Sequence, residues 1–297
     1  MMKKHGRNLI ILTPLFFCSL VLFFFGFPQE VFPGGGSGNI TFAVDFLTFR
    51  SDEHEKTLLK IFCQVSTKHL IFVKFRDGFF ASYKLTREMY DYSGQQLFNQ
   101  SVIDSIKVKT FKEIDRLRID RLIEFTLSVN PGEYVLRIFV EDLETRKAVT
   151  FEKEIQVPDY RQPGLRMSDI QIAASISYTK ESGPLVKSRV GIVPNVLRIL
   201  REQENVLYIY SEIYNLRSNT EPSSNEFGAT FVIKGEKNVA VMSIERILRK
   251  PGSACILSAQ IPLRKLKAGK YQLTLEVEEP DSRKKIQKST TFYRVKT

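Results

Sequence analysis

A segment of this chain recurs at a constant offset of 137 residues. Seven identities fall within sixteen positions and need no gap: Gly132/Gly269, Tyr134/Tyr271, Leu136/Leu273, Val140/Val277, Glu141/Glu278, Arg146/Arg283 and Lys147/Lys284. The offset has the size expected of a sandwich domain together with its linker. A chain of 297 residues is therefore expected to hold two similar units in tandem.

The repeated segment predicts a tyrosine corner in each unit. Gly132 and Gly269 would allow a tight turn into a strand, because glycine tolerates positive φ. Tyr134 and Tyr271 follow two residues later. There the ring can pack inward and the hydroxyl can bond back to nearby backbone, as in immunoglobulin-like sandwiches. The alternative is a plain glycine turn followed by an aromatic strand residue.

Short runs of alternating apolar residues, separated by turn residues, fill the chain from residue 39 onward. The pair Asp77-Gly78 predicts a hairpin, and the 23 Phe and 11 Tyr suit pleated, half-buried strands. Only Ser168–Ser177 and Val193–Glu204 have a weak helical pattern. We therefore expect an all-β protein of two tandem immunoglobulin-like β-sandwich domains.

The predicted domain boundary lies near residue 157. Pro158, Pro163 and Gly164 interrupt the strand pattern there, as a linker would. The expected organisation is residues 1–38 as signal peptide or membrane anchor with tether, 39–157 as the first sandwich, and 158–297 as linker and second sandwich. The tether is the glycine-rich segment 32–38.

The N-terminus predicts export from the cytoplasm. Lys3, Lys4 and Arg7 precede an uncharged run of 19 residues, Leu9–Phe27, which is the pattern of an export signal. As a helix the run would span about 28 Å, close to the thickness of a bilayer core. Because no A-x-A-like site ends it, we favour an uncleaved anchor over a cleaved signal. The protein is then periplasmic or at the cell surface.

The charge distribution suggests a surface for acidic partners. Residues 161–297 hold 23 Lys and Arg against 13 Asp and Glu, which accounts for most of the net charge of +11. On an exported protein such a face can meet anionic lipid, acidic polysaccharide or an acidic protein. An evenly solvated surface is the alternative. Nucleic acid is not expected as a partner, because the basic tracts lack the motifs of nucleic-acid-binding folds.

The sequence predicts no catalytic residues, no cofactor and no metal site. His5, His54 and His69 are too scattered for a zinc site, and no G-x-S-x-G elbow occurs. Cys63 and Cys255 lie in separate strand-like runs, which predicts free thiols rather than a disulfide framework. Carboxylates gather at two equivalent hairpins, near residues 141–144 and 278–281, where charged hairpin tips are the ordinary interpretation.

One aromatic run is a candidate binding platform. Tyr208, Tyr210 and Tyr214 alternate with Leu207, Ile209 and Ile213, so the tyrosines share one face of a strand. This face could bind sugar or peptide, or it could belong to the core. The interpretation depends on whether the face is exposed.

Three phrases of the chain resemble the bacterial GWxTD domain-containing proteins: MSDIQIA at 167–173, VPN at 193–195 and LYIYSEIYNL at 207–216. The resemblance covers roughly residues 40–297 and implies export and β-rich architecture. The namesake motif Gly-Trp-x-Thr-Asp does not occur, because the chain has no Trp. The resemblance therefore implies no chemistry.

These observations favour a non-catalytic exported envelope protein that uses its sandwiches for contact with a protein partner or for assembly. A carbohydrate- or cell-wall-binding module, with the three tyrosines as platform, is the alternative. An exported hydrolase ranks third, since it would need paired carboxylates facing each other in a cleft.

Overall fold

The structure is a computed structural model that describes residues 40–116, 120–178, 186–187, 190–217, 225–279 and 284–296. Strands make up nearly all of the regular structure in these ranges, and they form two tandem sandwiches. The predicted all-β class and immunoglobulin-like pair are therefore confirmed. The predicted export segment and tether lie outside the described residues. Within the described ranges no helix is long and apolar enough to cross a bilayer.

The described residues of the first sandwich form eight strands, one short α-helix and a single 3-10 turn at Thr67–His69. The strands are β1 (Phe42–Arg50), β2 (Thr57–Val65), β3 (Val73–Phe75), β4 (Gly78–Asp91), β5 (Gln96–Val108), β6 (Arg121–Val129), β7 (Gly132–Asp142) and β8 (Ala148–Val157), and the helix is α1 (Phe111–Arg116). One sheet has the order β1-β2-β6 and the other β5-β4-β7-β8, with β3 also paired to β4. All these pairings are antiparallel.

The described residues of the second sandwich form eleven strands. They are β9 (Arg166–Met167), β10 (Gln171–Tyr178), β11 (Val186–Lys187), β12 (Val190–Pro194), β13 (Ile199–Arg201), β14 (Val206–Tyr214), β15 (Glu226–Lys234), β16 (Ala240–Arg249), β17 (Ala254–Pro262), β18 (Gly269–Glu279) and β19 (Lys284–Val295). One sheet has the order β11-β12-β10-β14-β17, with β9 paired to β14. The other has the order β13-β19-β18-β15-β16.

The two sandwiches share a topology, which explains the sequence repeat. The set β1-β2-β6 and β5-β4-β7-β8 corresponds to β10-β14-β17 and β16-β15-β18-β19. Strands β7 and β18 begin and end at positions that differ by the repeat offset of 137 residues. In each unit this strand lies between its two neighbours at the centre of the sheet, where its alternating apolar side chains reach the core.

Each sandwich has its own core of alternating strand residues. In β4, Ala81, Tyr83 and Leu85 are buried and their neighbours are not, as expected of a strand with one face on a core. In β18, Leu273 and Leu275 alternate with less buried neighbours and are buried in the second core. Fully burying a Leu or Phe side chain contributes about 1.5–3 kcal/mol, so these two clusters supply most of the driving force for folding.

A third apolar cluster joins the two sandwiches. It combines Leu47 and Phe49 of β1 and Phe62 of β2 with Ile192 of β12 and Tyr210 of β14. These side chains point away from the two sandwich cores, because strand residues alternate between faces. The outer face of β1-β2 therefore packs against the outer face of β10-β12-β14, and the four sheets form successive layers.

The segment between the sandwiches is anchored to the first of them. Tyr160 is buried, and its hydroxyl lies 2.7 Å from Thr48 Oγ1. Thr57 Oγ1 donates to the Pro158 carbonyl at 2.6 Å, and the Arg161 guanidinium donates to the carbonyls of residues 51 and 53. These bonds fix the path of the chain at the predicted boundary.

Two local predictions differ from the structure. The segment Ser168–Ser177, predicted as a short helix, contains most of strand β10. The segment Val193–Glu204, predicted as the other, contains the end of β12, a turn and strand β13. The hairpin near Asp77-Gly78 is present but shifted by one residue. Phe75 pairs with Gly78, so the turn residues are Arg76 and Asp77, and Arg76 takes the positive φ of 52°.

Candidate functional site

The structure places the candidate tyrosine platform inside the contact between the sandwiches. Tyr210 and Tyr214 are 1% and 2% exposed, while Tyr208 is half-buried. The Phe49 ring lies 6.0 Å from the Tyr210 ring, and the Arg50 guanidinium lies 4.6 Å from the Tyr214 ring centre. Strand β1 thus covers this face of β14. Two of the three tyrosines face protein, so the three do not form one exposed platform.

Glu212 organises the two buried tyrosines. The hydroxyls of Tyr210 and Tyr214 each donate to one carboxylate oxygen of Glu212 at 2.7 Å. Burial raises the pKa of both phenols far above the ordinary value, and the Glu212 charge raises the pKa further. The backbone N–H of Arg50 donates to the Tyr214 hydroxyl at 3.0 Å. Both tyrosines therefore stay neutral, and Tyr214 bridges the sandwiches through its hydrogen bond with Arg50.

A buried ion pair crosses the same contact. Arg198 is 0% exposed and donates through Nε and Nη2 to Asp45 of β1, which is 5% exposed, at 3.2 and 2.5 Å. Nη1 of Arg198 donates to Thr290 Oγ1 of β19 at 2.7 Å. Arg198 thus links a strand of the first sandwich to a strand of the second. Burial raises the pKa of Asp45, and this effect outweighs the lowering by Arg198.

A second polar cluster surrounds Asp169 beside the contact. One oxygen of Asp169 accepts from the Thr48 backbone N–H and hydroxyl at 2.7 and 2.6 Å, and the other accepts from Lys288 Nζ at 2.6 Å. Burial alone would raise the pKa of Asp169. The Lys288 charge and the hydrogen bonds outweigh burial and lower the pKa. Lys288 also lies 3.2 Å from the Tyr160 hydroxyl, so the cluster ties β19 to the linker.

The repeated carboxylates at the hairpins accept backbone hydrogen bonds in the first sandwich and form an ion pair in the second. Asp142 is 1% exposed and accepts the backbone N–H groups of Ile71, Glu144 and Thr145 at 2.9–3.0 Å. Its repeat equivalent, Glu279, is also 1% exposed, with Lys250 Nζ at 3.0 Å. The charge at these positions was evident from the sequence, but their burial was not. An acidic residue at the same position of both repeats is the sequence signal that could have predicted this burial.

The tyrosines of the repeated motif adopt the geometry of a tyrosine corner. The Tyr134 hydroxyl donates to the Asn130 carbonyl at 2.7 Å, and the Tyr271 hydroxyl donates to the Lys267 carbonyl at 2.9 Å. Both bonds run four residues back along the chain. Gly132 and Gly269 precede these tyrosines without positive φ, so they do not supply the backbone freedom that the sequence suggested. An added Cβ there would lie in ordinary contact with the tyrosine ring.

The two cysteines of the described residues lie in separate sandwiches, Cys63 in β2 and Cys255 in β17. Cys63 and Cys255 are free thiols, and burial raises the pKa of both, for Cys63 to about 12. Within the described ranges no three His, Cys, Asp or Glu side chains are grouped for a metal ion. The buried carboxylates described above are each held by protein donors.

Four basic residues of the second sandwich gather at one turn. Arg264, Lys265, Lys267 and Lys270 lie at or beside the connection from β17 to β18, and all four are exposed. None of the four is within ion-pair distance of a described carboxylate. Their charge therefore faces solvent.

Comparisons with known proteins give no family. Neither the protein-family models nor the curated proteins contain a match to the chain. Among solved structures, a β-glucuronidase from Bacteroides uniformis is similar with a TM-score of 0.26 and 12% identity, over 39% of this chain and 13% of that one. A calcium-binding mutant of Bacteroides uniformis β-glucuronidase 2 is similar with a TM-score of 0.25 and 10% identity, over 83% of this chain and 27% of that one. This chain thus matches about a quarter or less of either enzyme's length.

Proposed function

We propose that this chain is a non-catalytic, exported envelope protein that uses its sandwiches for contact with a protein partner. The observation that carries this proposal is the open edge formed by β5. This strand is 13 residues long and pairs only with β4 among the described strands. Its second edge presents backbone N–H and C=O groups that a strand of another chain can pair with.

The composition of β5 supports pairing rather than protection of the edge. Proteins usually block long open edges with lysine, proline or a covering segment. Strand β5 contains no proline, and Asp104 and Lys107 are its only charged residues. Leu97 and Ile103 are 47% and 63% exposed. An apolar, weakly charged edge of this length favours a β-strand of a partner protein as the occupant.

The equivalent edge strand of the second sandwich differs in charge. Strand β16 also exposes apolar side chains, with Ile247 71% and Val241 49% exposed. It carries Glu245, Arg246 and Arg249 along the same short stretch. Charged side chains discourage pairing with a second strand. We therefore assign the protein contact to β5 and use β16 as its matched control.

The proposed location rests on the N-terminal sequence. The basic flank and the uncharged run Leu9–Phe27 support export with the positive end retained in the cytoplasm. The resemblance to GWxTD domain-containing proteins agrees with this location. Cell fractionation and mass spectrometry of the mature N-terminus test it. Recovery of the intact chain in the soluble cytoplasmic fraction would contradict it.

Site-specific crosslinking tests the contact itself. A photoreactive residue in place of Ser101, which is exposed on β5, should give one defined protein adduct in intact cells. Ile103→Lys should reduce that adduct about tenfold, because a charge beside the edge opposes strand pairing. The matched control Ile247→Lys should leave it unchanged. An adduct that persists in the Ile103→Lys protein, or no adduct at all, would contradict the proposal.

A further inference from the structure

A cleft in the second sandwich lies apart from the β5 edge and from the buried tyrosine face. It opens where β10 ends beside the edge strand β17, and it has a volume of about 300 Å³. Its lining residues are Ile176, Tyr178, Arg246, Ser258, Ala259 and Gln260. This volume is at the lower end of the range for small-molecule sites. The lining combines one aromatic ring, one cation and neutral polar groups.

Tyr178 supplies an open but oriented aromatic ring. Its side chain is 74% exposed, and its hydroxyl lies 2.9 Å from Ser258 Oγ. The hydrogen bond restrains the ring, while its exposure leaves ring surface free for a ligand. An aromatic ring offers a flat apolar surface with a polar edge. This shape suits the C–H face of a pyranose, whose hydroxyl groups point outward around the ring.

Arg246 supplies the charge of the cleft. It is exposed, and the guanidinium lies 5.9 Å from the Phe231 ring and contacts the Gln260 carbonyl through Nη2 at 3.5 Å. No described carboxylate lies within ion-pair distance of Arg246. A guanidinium binds carboxylates through two parallel hydrogen bonds. The excess of basic residues in this half of the chain favours an anionic ligand further.

We infer that this cleft binds a carboxylate-bearing sugar unit of an acidic polysaccharide. The Tyr178 ring carries the sugar face, Arg246 pairs with the carboxylate, and the exposed Gln260 amide meets a hydroxyl group. This inference adds a ligand to the proposed protein contact and uses neither β5 nor its partner. Its failure would leave the crosslinking result at β5 unaffected.

Calorimetric titration of the full chain tests the inference. The probe is an oligogalacturonate of defined length, compared with its methyl-esterified counterpart, which has the same ring without the charge. Wild type should bind the acidic oligosaccharide at least tenfold more tightly than the ester. Arg246→Gln should abolish this preference and leave the weak binding of the ester intact. Tyr178→Ala should weaken both.

Two control variants separate the cleft from the rest of the surface. Tyr92→Ala removes another highly exposed tyrosine, 78% exposed and in the first sandwich, and should change nothing. Lys265→Gln removes one charge from the basic turn and should also leave affinity within twofold. Equal losses for Lys265→Gln and Arg246→Gln would mean diffuse attraction to a basic surface and would overturn the inference. Absence of saturable binding by wild type would overturn it as well.

Discussion

The buried pair of Asp45 and Arg198 gives a prediction whose size follows from its burial. Arg198→Met removes both guanidinium bonds from Asp45, a carboxylate that is 5% exposed. Removing one partner of a buried pair costs about 3–5 kcal/mol, because an uncompensated charge stays behind. We expect a loss of this size in the free energy of unfolding, measured with urea at pH 7.

The loss should depend on pH in a defined direction. Burial already raises the pKa of Asp45 above its ordinary value of 3.8, and removal of Arg198 takes away the main opposing effect. A carboxyl group with a raised native pKa favours folding below the unfolded pKa, and that contribution is lost as pH rises through the native pKa. The cost of Arg198→Met relative to wild type should therefore be smallest below about pH 4 and full at neutral pH.

A double variant separates the lost pair from general damage to packing. Asp45→Leu should also destabilise, because it leaves Arg198 without its carboxylate. Asp45→Leu combined with Arg198→Met should recover most of the loss, since replacing a buried pair by apolar residues is often neutral or stabilising. Arg198→Met with wild-type stability at pH 7, or a loss that is equal at pH 4 and pH 7, would refute this reasoning.

Two further predictions concern the repeated motif and the first hairpin. Tyr134→Phe and Tyr271→Phe each remove one hydrogen bond to backbone and should cost about 0.5–1.5 kcal/mol. The loss for Tyr134 should be the larger because its hydroxyl is more buried, and equal, negligible losses in thermal unfolding would contradict the role of the corner. Gly78→Ala should cost about 1–3 kcal/mol, since a Cβ would lie 2.5 Å from a carbonyl oxygen of β5. Gly94→Ala is the comparison variant. Nothing lies within 4 Å of a Cβ added at Gly94, so any loss of stability there comes from its backbone φ of +84°. A Gly78→Ala protein as stable as wild type would show that β5 moves aside freely.

The fold was largely predictable because its signals are local. The period of two in the apolar runs predicts strands, and the repeat predicts that β7 and β18 are equivalent. The two predicted helices failed for a local reason as well. The segment that forms β10 mixes Ile172 and Ile176 with small residues, and short runs of this kind do not distinguish strand from helix.

The candidate site could not be predicted because its contacts join distant parts of the chain. Alternation divides β14 into two faces, and one of them carries Tyr210 and Tyr214. Only the position of β1 decides that this face is buried. Asp45 and Arg198 are 153 residues apart, and no spacing rule joins them. Arg198 also lies in a stretch that was predicted as helical, so its inward direction had no local signal.

The layering of the four sheets has a consequence for how many partners one molecule can hold. Strands β5 and β16 belong to the first and the last layer. Sheets pack about 10 Å apart, so three spacings separate these layers by about 30 Å. A strand added to one edge leaves the other accessible. The molecule therefore has two unlike ends, an edge open to strand pairing at β5 and a charged strand at β16, and this difference would give any assembly of these molecules a direction.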